Sequence, residues 1–471
     1  MNYTYIKGFK YRWKISSVEK SKVREISQRH NLSIPIAQTL LSRGFETAEQ
    51  ITSFLFTSLE KDIAHPNLFK DSKKAVERIL KAIEKKEKIL IFGDYDVDGI
   101  SSTALLLAAL LPLGALINYF LPNRIRDGYG LSKKIVKKAA ESNYKLIITV
   151  DNGITAIEAA QNAKELGVDL IITDHHRPHE KLPNALAIVN PNQKDCKYPY
   201  KDFAGVGVAF KLIFLLYEIK NIPLPEKIYE LLTLGTIADV VPLLGENRFW
   251  VKHGLSIINK KKSYSLAVLA NNSRLTKKFL GSLDIGFMLA PQLNALGRLD
   301  DSRDAVKFLI SSEFSDVDRV GKLLKEMNEK RKKVERGIFD EIEHLIINKT
   351  IDLEKENIIM AASETWPAGV IGLVAGRLAH GYGKPSFLFH EKNGVLGGSC
   401  RSIPEFNIFN ALKTNQDLLI SFGGHSFAAG LKLKKENVEE LKKRLEKQIL
   451  EELTPEDLIP KIDLDAPIEL S

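Results

Sequence analysis

The sequence predicts an α/β protein: two α/β domains joined by a long helical connector, the first of them built on a parallel, doubly wound sheet. Three observations predict it. Short apolar runs alternate with helical stretches from Ser72 to about Asn190. A Lys-, Arg- and Glu-rich stretch without proline runs from Asp304 to Ile347, and a second strand–helix pattern opens after Asp352. A length of 471 residues suits two or three domains, and 44% hydrophobic with 27% charged residues excludes a disordered or fibrous chain.

Residues 1–70 read as a helical N-terminal segment, with KVREISQRH and SIPIAQTLLSRG carrying apolar positions at helical spacing. SKKAVERILKAIEKKEK then forms an amphipathic helix, and ILIFG, ALINYF, KLIITV, VDLIIT and ALAIVN read as buried strands. LSKKIVKKAAE and AIEAAQNAKELG supply the intervening helices. From Phe203 to about Phe308 the pattern turns helical, and 303–350 reads as the connector. Beyond it, NIIMAAS, PSFLFH, GVLGGSCRS and GLKLK read as strands. Helices are expected at Val370–Ala379, near Phe409 and over VEELKKRLEKQILEEL.

The charge balance, 68 basic against 59 acidic residues, gives +9 and favours a polyanionic partner, since neutralised phosphates release counterions. Two cysteines, Cys196 and Cys400, build no disulfide framework and suit a reducing, cytoplasmic setting. The opening MNYTYIKGFKYRWK lacks the apolar core of a secretory signal, and no apolar run approaches a membrane span, so no membrane partner is expected.

Chemistry concentrates at the ends of predicted elements. ILIFG leads into Asp94, Asp96, Asp98 and Gly99; KLIITV into Asp151; VDLIIT into Asp174, His175 and His176; and LLTLGTIA into Asp239. Ligands of doubly wound sheets bind where the strands end. Carboxylates gathered there repel one another unless a cation neutralises them. Aspartates with imidazole suit Mn²⁺ better than Mg²⁺, and two metals sharing a carboxylate would activate water against a phosphoester. Taken singly, an Asp after a strand is often only a helix N-cap. The D-x-D-x-D-G run is no calcium loop, because position twelve is Leu105 rather than Glu.

GDYDVDG, VDNG, TDHH and the Asp239 motif resemble the DHH phosphoesterases, and among them the bacterial RecJ branch of single-strand-specific 5′→3′ exonucleases. The resemblance runs nearly the whole chain, from LLSRGF through PQLNALGRL and GVIGLVAGRL to SCRS and SFGGHSFAAG, the last similar to the family's DHHA1 domain. It implies a DHH catalytic domain over 71–302 and a DHHA1 substrate-binding domain over 351–455. It also implies a two-metal hydrolase, Mn²⁺-dependent with Mg²⁺ as an alternative, that releases nucleoside 5′-monophosphates from single-stranded DNA in repair and recombination. A helicase or single-strand-binding protein would be the recruiting partner.

Carried over by position, the resemblance makes Asp94, Asp96, Asp98, Asp151, His175 and Asp239 metal ligands. Asp96 and Asp98 rank ahead of Asp94, and Asp151 bridges. It makes His176 the group at the scissile phosphate, so that His176, Asp98 and Asp151 are the catalytic set. Asn294, Arg298, Arg401, Ser402, Gly424 and His425 fall on substrate-binding positions.

Three departures stand out. Phe92 occupies a position where some relatives carry a metal-binding His, Trp366-Pro367 replaces a frequent Trp-His, and the chain stops at 456–471, where an OB-fold would begin. The last departure leads to an expectation of weak binding to long strands. Two other readings stay open on sequence: a phosphodiesterase of short oligonucleotides or cyclic dinucleotides, and a non-catalytic DNA-binding scaffold. Retention of every aspartate and of His175 weighs against the scaffold.

Overall fold

The structure, a computed structural model, describes residues 2–123, 128, 130–299 and 301–468. It divides into two units, Ser53–Glu329 and a second made of Met1–Thr52 with Lys330–Ser471. The chain begins in the second unit, with a hairpin of β1 (Asn2–Lys7) and β2 (Arg12–Ser17). Residues 1–70, read from sequence as helical, therefore open with strands. Alternating aromatic and β-branched residues around Gly8 override the helical spacing found further on. Helices Lys20–His30, Ile34–Ser42 and Ala48–Phe56 follow.

The unit Ser53–Glu329 carries β3 (Lys88–Phe92), β4 (Leu116–Phe120), β5 (Tyr144–Val150), β6 (Asp169–Thr173) and β7 (Ala187–Val189). They form a wholly parallel sheet in the order β4-β3-β5-β6-β7. Its central strands read as continuous apolar runs because both faces are covered. Ile89, Ile91, Leu146, Ile148 and Val150 belong to one core, whereas Leu90, Phe92, Ile147 and Ile172 belong to the other. The chain leaves β3 toward β4 on one side and returns to β5 on the other. That reversal opens a crevice at the carboxyl ends of β3 and β5.

Helix Val97–Leu110 follows β3 and is buried on nearly every side, which is why its sequence shows little amphipathic pattern. Helices Gly205–Lys220 and Glu226–Ala238 belong to the same core. Helix Arg303–Ile310 ends at Ser311, whose hydroxyl accepts the Glu313 N–H at 3.1 Å, and the 34-residue connector Phe314–Ile347 starts there.

In the other unit, β8 (Ile359–Ser363), β9 (Ser386–Lys392), β10 (Val395–Arg401), β11 (Leu419–Gly424) and β12 (Ala428–Lys434) form a sheet in the order β11-β12-β10-β9-β8. Only β8 and β9 run parallel. Leu441, Leu445 and Ile449, one turn apart on helix Val438–Glu452, fill its core. The edge strand β11, with two glycines and an irregular register, had no legible strand pattern. A last strand, β13 (Lys461–Leu464), lies parallel beside β2, so the stretch 456–471 contributes to a three-stranded β1-β2-β13 sheet. Among the described residues no helix is long and apolar enough to cross a membrane. Cys196 and Cys400 are both buried thiols.

Candidate active site

Asp94, Asp96 and Asp98 follow β3, Asp151 follows β5, Asp174, His175 and His176 follow β6, and Asp239 ends helix Glu226–Ala238. The fold brings these sequence-distant residues to one crevice. Three sets have ligand atoms within 4.8 Å of one another: Asp94 with Asp96 and Asp151, Asp98 with His175 and Asp239, and Asp151 with both histidines. Asp151 and His175 each belong to two of the three. His175 Nε2 stands 3.1 Å from Asp151 Oδ1 and 3.8 Å from Asp239 Oδ2.

Local backbone sets each carboxylate. Asp96 caps the Val97–Leu110 helix by accepting the Gly99 N–H at 3.1 Å. Asp98, on that helix's first turn, meets the N-terminus of helix Gly205–Lys220 and accepts N–H groups from Gly205 at 2.5 Å and Val206 at 2.8 Å. Asp151 has a left-handed φ of 60°, a strained conformation of the kind that gathers at functional sites. The same holds beside Asp239, where Val240, β-branched and exposed, takes φ of 62°.

The electrostatics are those of a site built for cations. Burial first, then the charge of Asp96, pushes Asp98 up to about 7 despite its two N–H donors. Burial with the charges of Asp98 and Asp96 pushes Asp239 up to about 9. Asp151 is held well above the carboxylate range by burial and by Asp98, Asp96, Asp94 and Asp239 together. Burying several carboxylates without a counter-charge is unfavourable. Oxygen and imidazole donors with no thiolate among them match Mn²⁺ or Mg²⁺, so the donor set fits divalent ions.

His176 is distinct from His175. Its Nδ1 lies 2.7 Å from Asp174 Oδ1. Burial alone would lower its pKa, but the Asp174 hydrogen bond and charge, with Asp239 and Asp94, raise it to about 9. Asp174 also accepts the N–H groups of Ile154, His175 and His176 at 2.7–3.0 Å, and the His176 bond keeps it ionised despite full burial. The sequence reading assigned Asp174 no role; its place directly after β6, in line with Asp94 and Asp151, was the available signal.

Two glycines, neither singled out for its packing, allow the site to close. A Cβ on Gly205 would lie 2.6 Å from Asp151 Cβ, and one on Gly297 would collide with the Tyr95 carbonyl. Asn294, on the same helix as Gly297, accepts the Val97 N–H at 3.1 Å. That helix, which also carries Arg298, thus braces the Asp94–Asp98 loop. Phe92 points into the sheet's core and stacks on Phe120, with ring centres 5.9 Å apart, away from the carboxylates.

The remaining expected residues lie in the other unit and converge on one end of its sheet. Arg401 pairs in register with Ala428, and Gly424 with Ala429. The Ser402 N–H bonds the Phe427 carbonyl at 2.9 Å, and the His425 N–H bonds the Ala428 carbonyl at 2.8 Å. Arg401 Nη1 donates to Ser399 Oγ and to the Cys400 carbonyl, whereas the Ser402 hydroxyl donates to the Phe406 carbonyl. Gly424 takes φ of 142°, which only glycine adopts readily. Trp366 is buried, its indole N–H bonded to Glu341 at 2.8 Å.

Comparison with known proteins agrees with this layout. Residues 88–236 match the DHH family, N-terminal domain, and residues 355–451 match the DHHA1 domain. The single-stranded-DNA-specific exonuclease RecJ of Bacillus subtilis is 38% identical over 97% of the chain, which spans only 57% of that relative's length. The crystal structure of RecJ in complex with Mn²⁺ from Thermus thermophilus superposes with a TM-score of 0.82 at 28% identity. It covers 96% of this chain and 64% of that one. The RecJ of Salmonella typhimurium is 37% identical over 84% of the chain, with 72% of the relative covered. With both domain types matched on the sheets that carry the acids and Arg401, and with a relative so fully covered, the chain belongs to the RecJ family.

Proposed function

We propose that the chain is a metal-dependent exonuclease that hydrolyses single-stranded DNA from its 5′ end to nucleoside 5′-monophosphates, in DNA repair and recombination. The observation that carries this reading is the convergence of Asp94, Asp96, Asp98, Asp151, His175 and Asp239 at the sheet's reversal point, where the aspartates repel one another and Asp94, Asp98 and Asp151 are buried. It occurs in a chain whose relatives bear the name of that activity. Mn²⁺ or Mg²⁺ held by these six residues would lower the pKa of bound water and offset negative charge on the phosphate.

The chain's own residues do the rest. Asp98 is kept in one rotamer by two backbone donors, so the donor set is preorganised. His176, positively charged through Asp174, presents an imidazolium to the scissile phosphate and gives its proton toward the leaving oxygen. Arg298, and the Asn294 amide beyond its backbone bond, bind the strand near the site. Arg401, with the Ser402 and His425 side chains, holds the substrate's phosphates chiefly through its guanidinium, and Gly424, without a Cβ, lets the strand come close. A helicase or single-strand-binding protein would deliver the strand.

Digestion of end-labelled single strands with Mn²⁺ or Mg²⁺ tests the reading. A 5′ label should leave at once as a mononucleotide, a 3′ label only late, and a chelator should stop both. Asp151→Ala should abolish turnover at any metal concentration. Internal cuts, or substantial turnover by Asp151→Ala at saturating Mn²⁺, would sink it.

A further inference from the structure

We infer that the N-terminal hairpin is a second binding surface for single-stranded nucleic acid, separate from the carboxylate site. The register pairs Tyr3 with Ser16, Tyr5 with Lys14 and Lys7 with Arg12, so these six residues share one face. On that face aromatic and cationic groups alternate. Lys14 Nζ stands 4.1 Å from the Tyr3 ring centre, and the Arg12 guanidinium 4.1 Å from that of Tyr5. Lys14 is paired with Asp463 at 3.1 Å. Lys7, Lys10 and Arg12 have no carboxylate partner among the described residues, and no acidic residue precedes Glu19 in the sequence. Tyr3 and Tyr5 are each about two-fifths exposed, and Phe9, in the turn, is fully exposed.

Aromatics left this exposed, beside cations that no carboxylate neutralises, suit an anionic partner with flat apolar groups. Single-stranded nucleic acid has both: phosphates for Lys7, Lys10 and Arg12, and bases to stack on tyrosine, phenylalanine and guanidinium faces. The hairpin is also continuous with the residues proposed to hold substrate, and to that extent the inference rests on the exonuclease reading. Ser402 leads in three residues to Glu405, which pairs with Lys461 at the start of β13. Lys461 is the register partner of Arg12, whose N–H bonds the Pro460 carbonyl at 2.9 Å. A strand held at Arg401 has a charged, aromatic surface along which to extend.

The test uses the full chain in chelator, so that nothing is hydrolysed. A bromodeoxyuridine-substituted strand of about twenty nucleotides, irradiated on the protein, should give adducts mapping to Tyr3, Tyr5 or Phe9. Tyr5→Ala with Arg12→Ala should reduce affinity for that strand about tenfold, the worth of one stacked base, and bring its affinity ratio to a trinucleotide toward one. Tyr5→Phe should restore most of the loss, and circular dichroism checks that the exposed hairpin variants fold. Adducts confined to peptides outside residues 2–17, with affinity unchanged in the double variant, would overturn the proposal. So would a double variant that alters only self-association, since the hairpin would then be a protein interface. Hairpin adducts in a protein that releases no mononucleotides would overturn the exonuclease reading and leave this surface standing.

Discussion

Two adjacent histidines with the same side chain have been given different chemistry by one neighbour. His175 Nε2 faces Asp151 and Asp239, whereas His176 Nδ1 is engaged by Asp174, a buried carboxylate with four donors. Asp174→Asn keeps the shape and removes the charge. The pKa of His176 should then fall from about 9 toward its ordinary value of 6.5. Between those values the unaltered protein carries imidazolium and the variant neutral imidazole. The alkaline limb of the kcat–pH profile should therefore move to lower pH, with a loss of about four-fold at neutrality that grows to roughly 100-fold near pH 8.5. Calorimetric Mn²⁺ affinity should drop in His175→Ala and stay nearly intact in His176→Ala. Equal loss of metal in both would show that the pair has been divided wrongly.

Helices here act as braces for carboxylates more than as carriers of chemistry. Gly205–Lys220 brings two N–H groups to Asp98 and lies against Asp151, and Ala290–Leu299 supports the Asp94–Asp98 loop through Asn294 and Gly297. Gly297→Ala would force the loop away from that helix by a fraction of an ångström or more. Misplacement of that order should lower kcat about 100-fold while the far-ultraviolet circular dichroism stays native. Full activity in this variant would mean that the loop is set by Asp96 capping alone. Strand–helix alternation was legible for β3 to β7 because their apolar runs are bounded by helices of clear period. The bracing was not legible, because it depends on which backbones approach, and no local pattern records that.

For the protein as a unit, the carboxylate cluster couples stability to pH and to metal. In the unfolded chain Asp98 and Asp239 ionise near 3.8, but folding raises them to about 7 and about 9. Above about pH 4 the unfolded state sheds protons that the folded state keeps, so stability of the metal-free protein should fall steadily until those folded values are passed. His176 acts in the same sense: its raised pKa contributes stability that is complete below 6.5 and lost as pH rises through about 9. Denaturant titrations in chelator, from about pH 5 to about pH 9, should show this decline, and saturating Mn²⁺ should flatten or reverse it. Metal-free stability that rises across the range would contradict the electrostatics described for the crevice.

Residue types and their places after apolar runs were enough to identify the α/β class, the clustered aspartates with His175, and the family resemblance. These are properties of short segments, each readable where it stands. The sequence misread the first seventeen residues, whose aromatic alternation makes a hairpin that pairs with a strand more than four hundred residues away. It also gave Asp174 no role, though it placed it in the cluster, and passed over the packing of Gly205 and Gly297. The physical reason is common to all of these. Strand partners, buried charge–charge contacts and the approach of one backbone to another are long-range relations, settled only when the sheet's reversal point brings distant segments within a few ångströms.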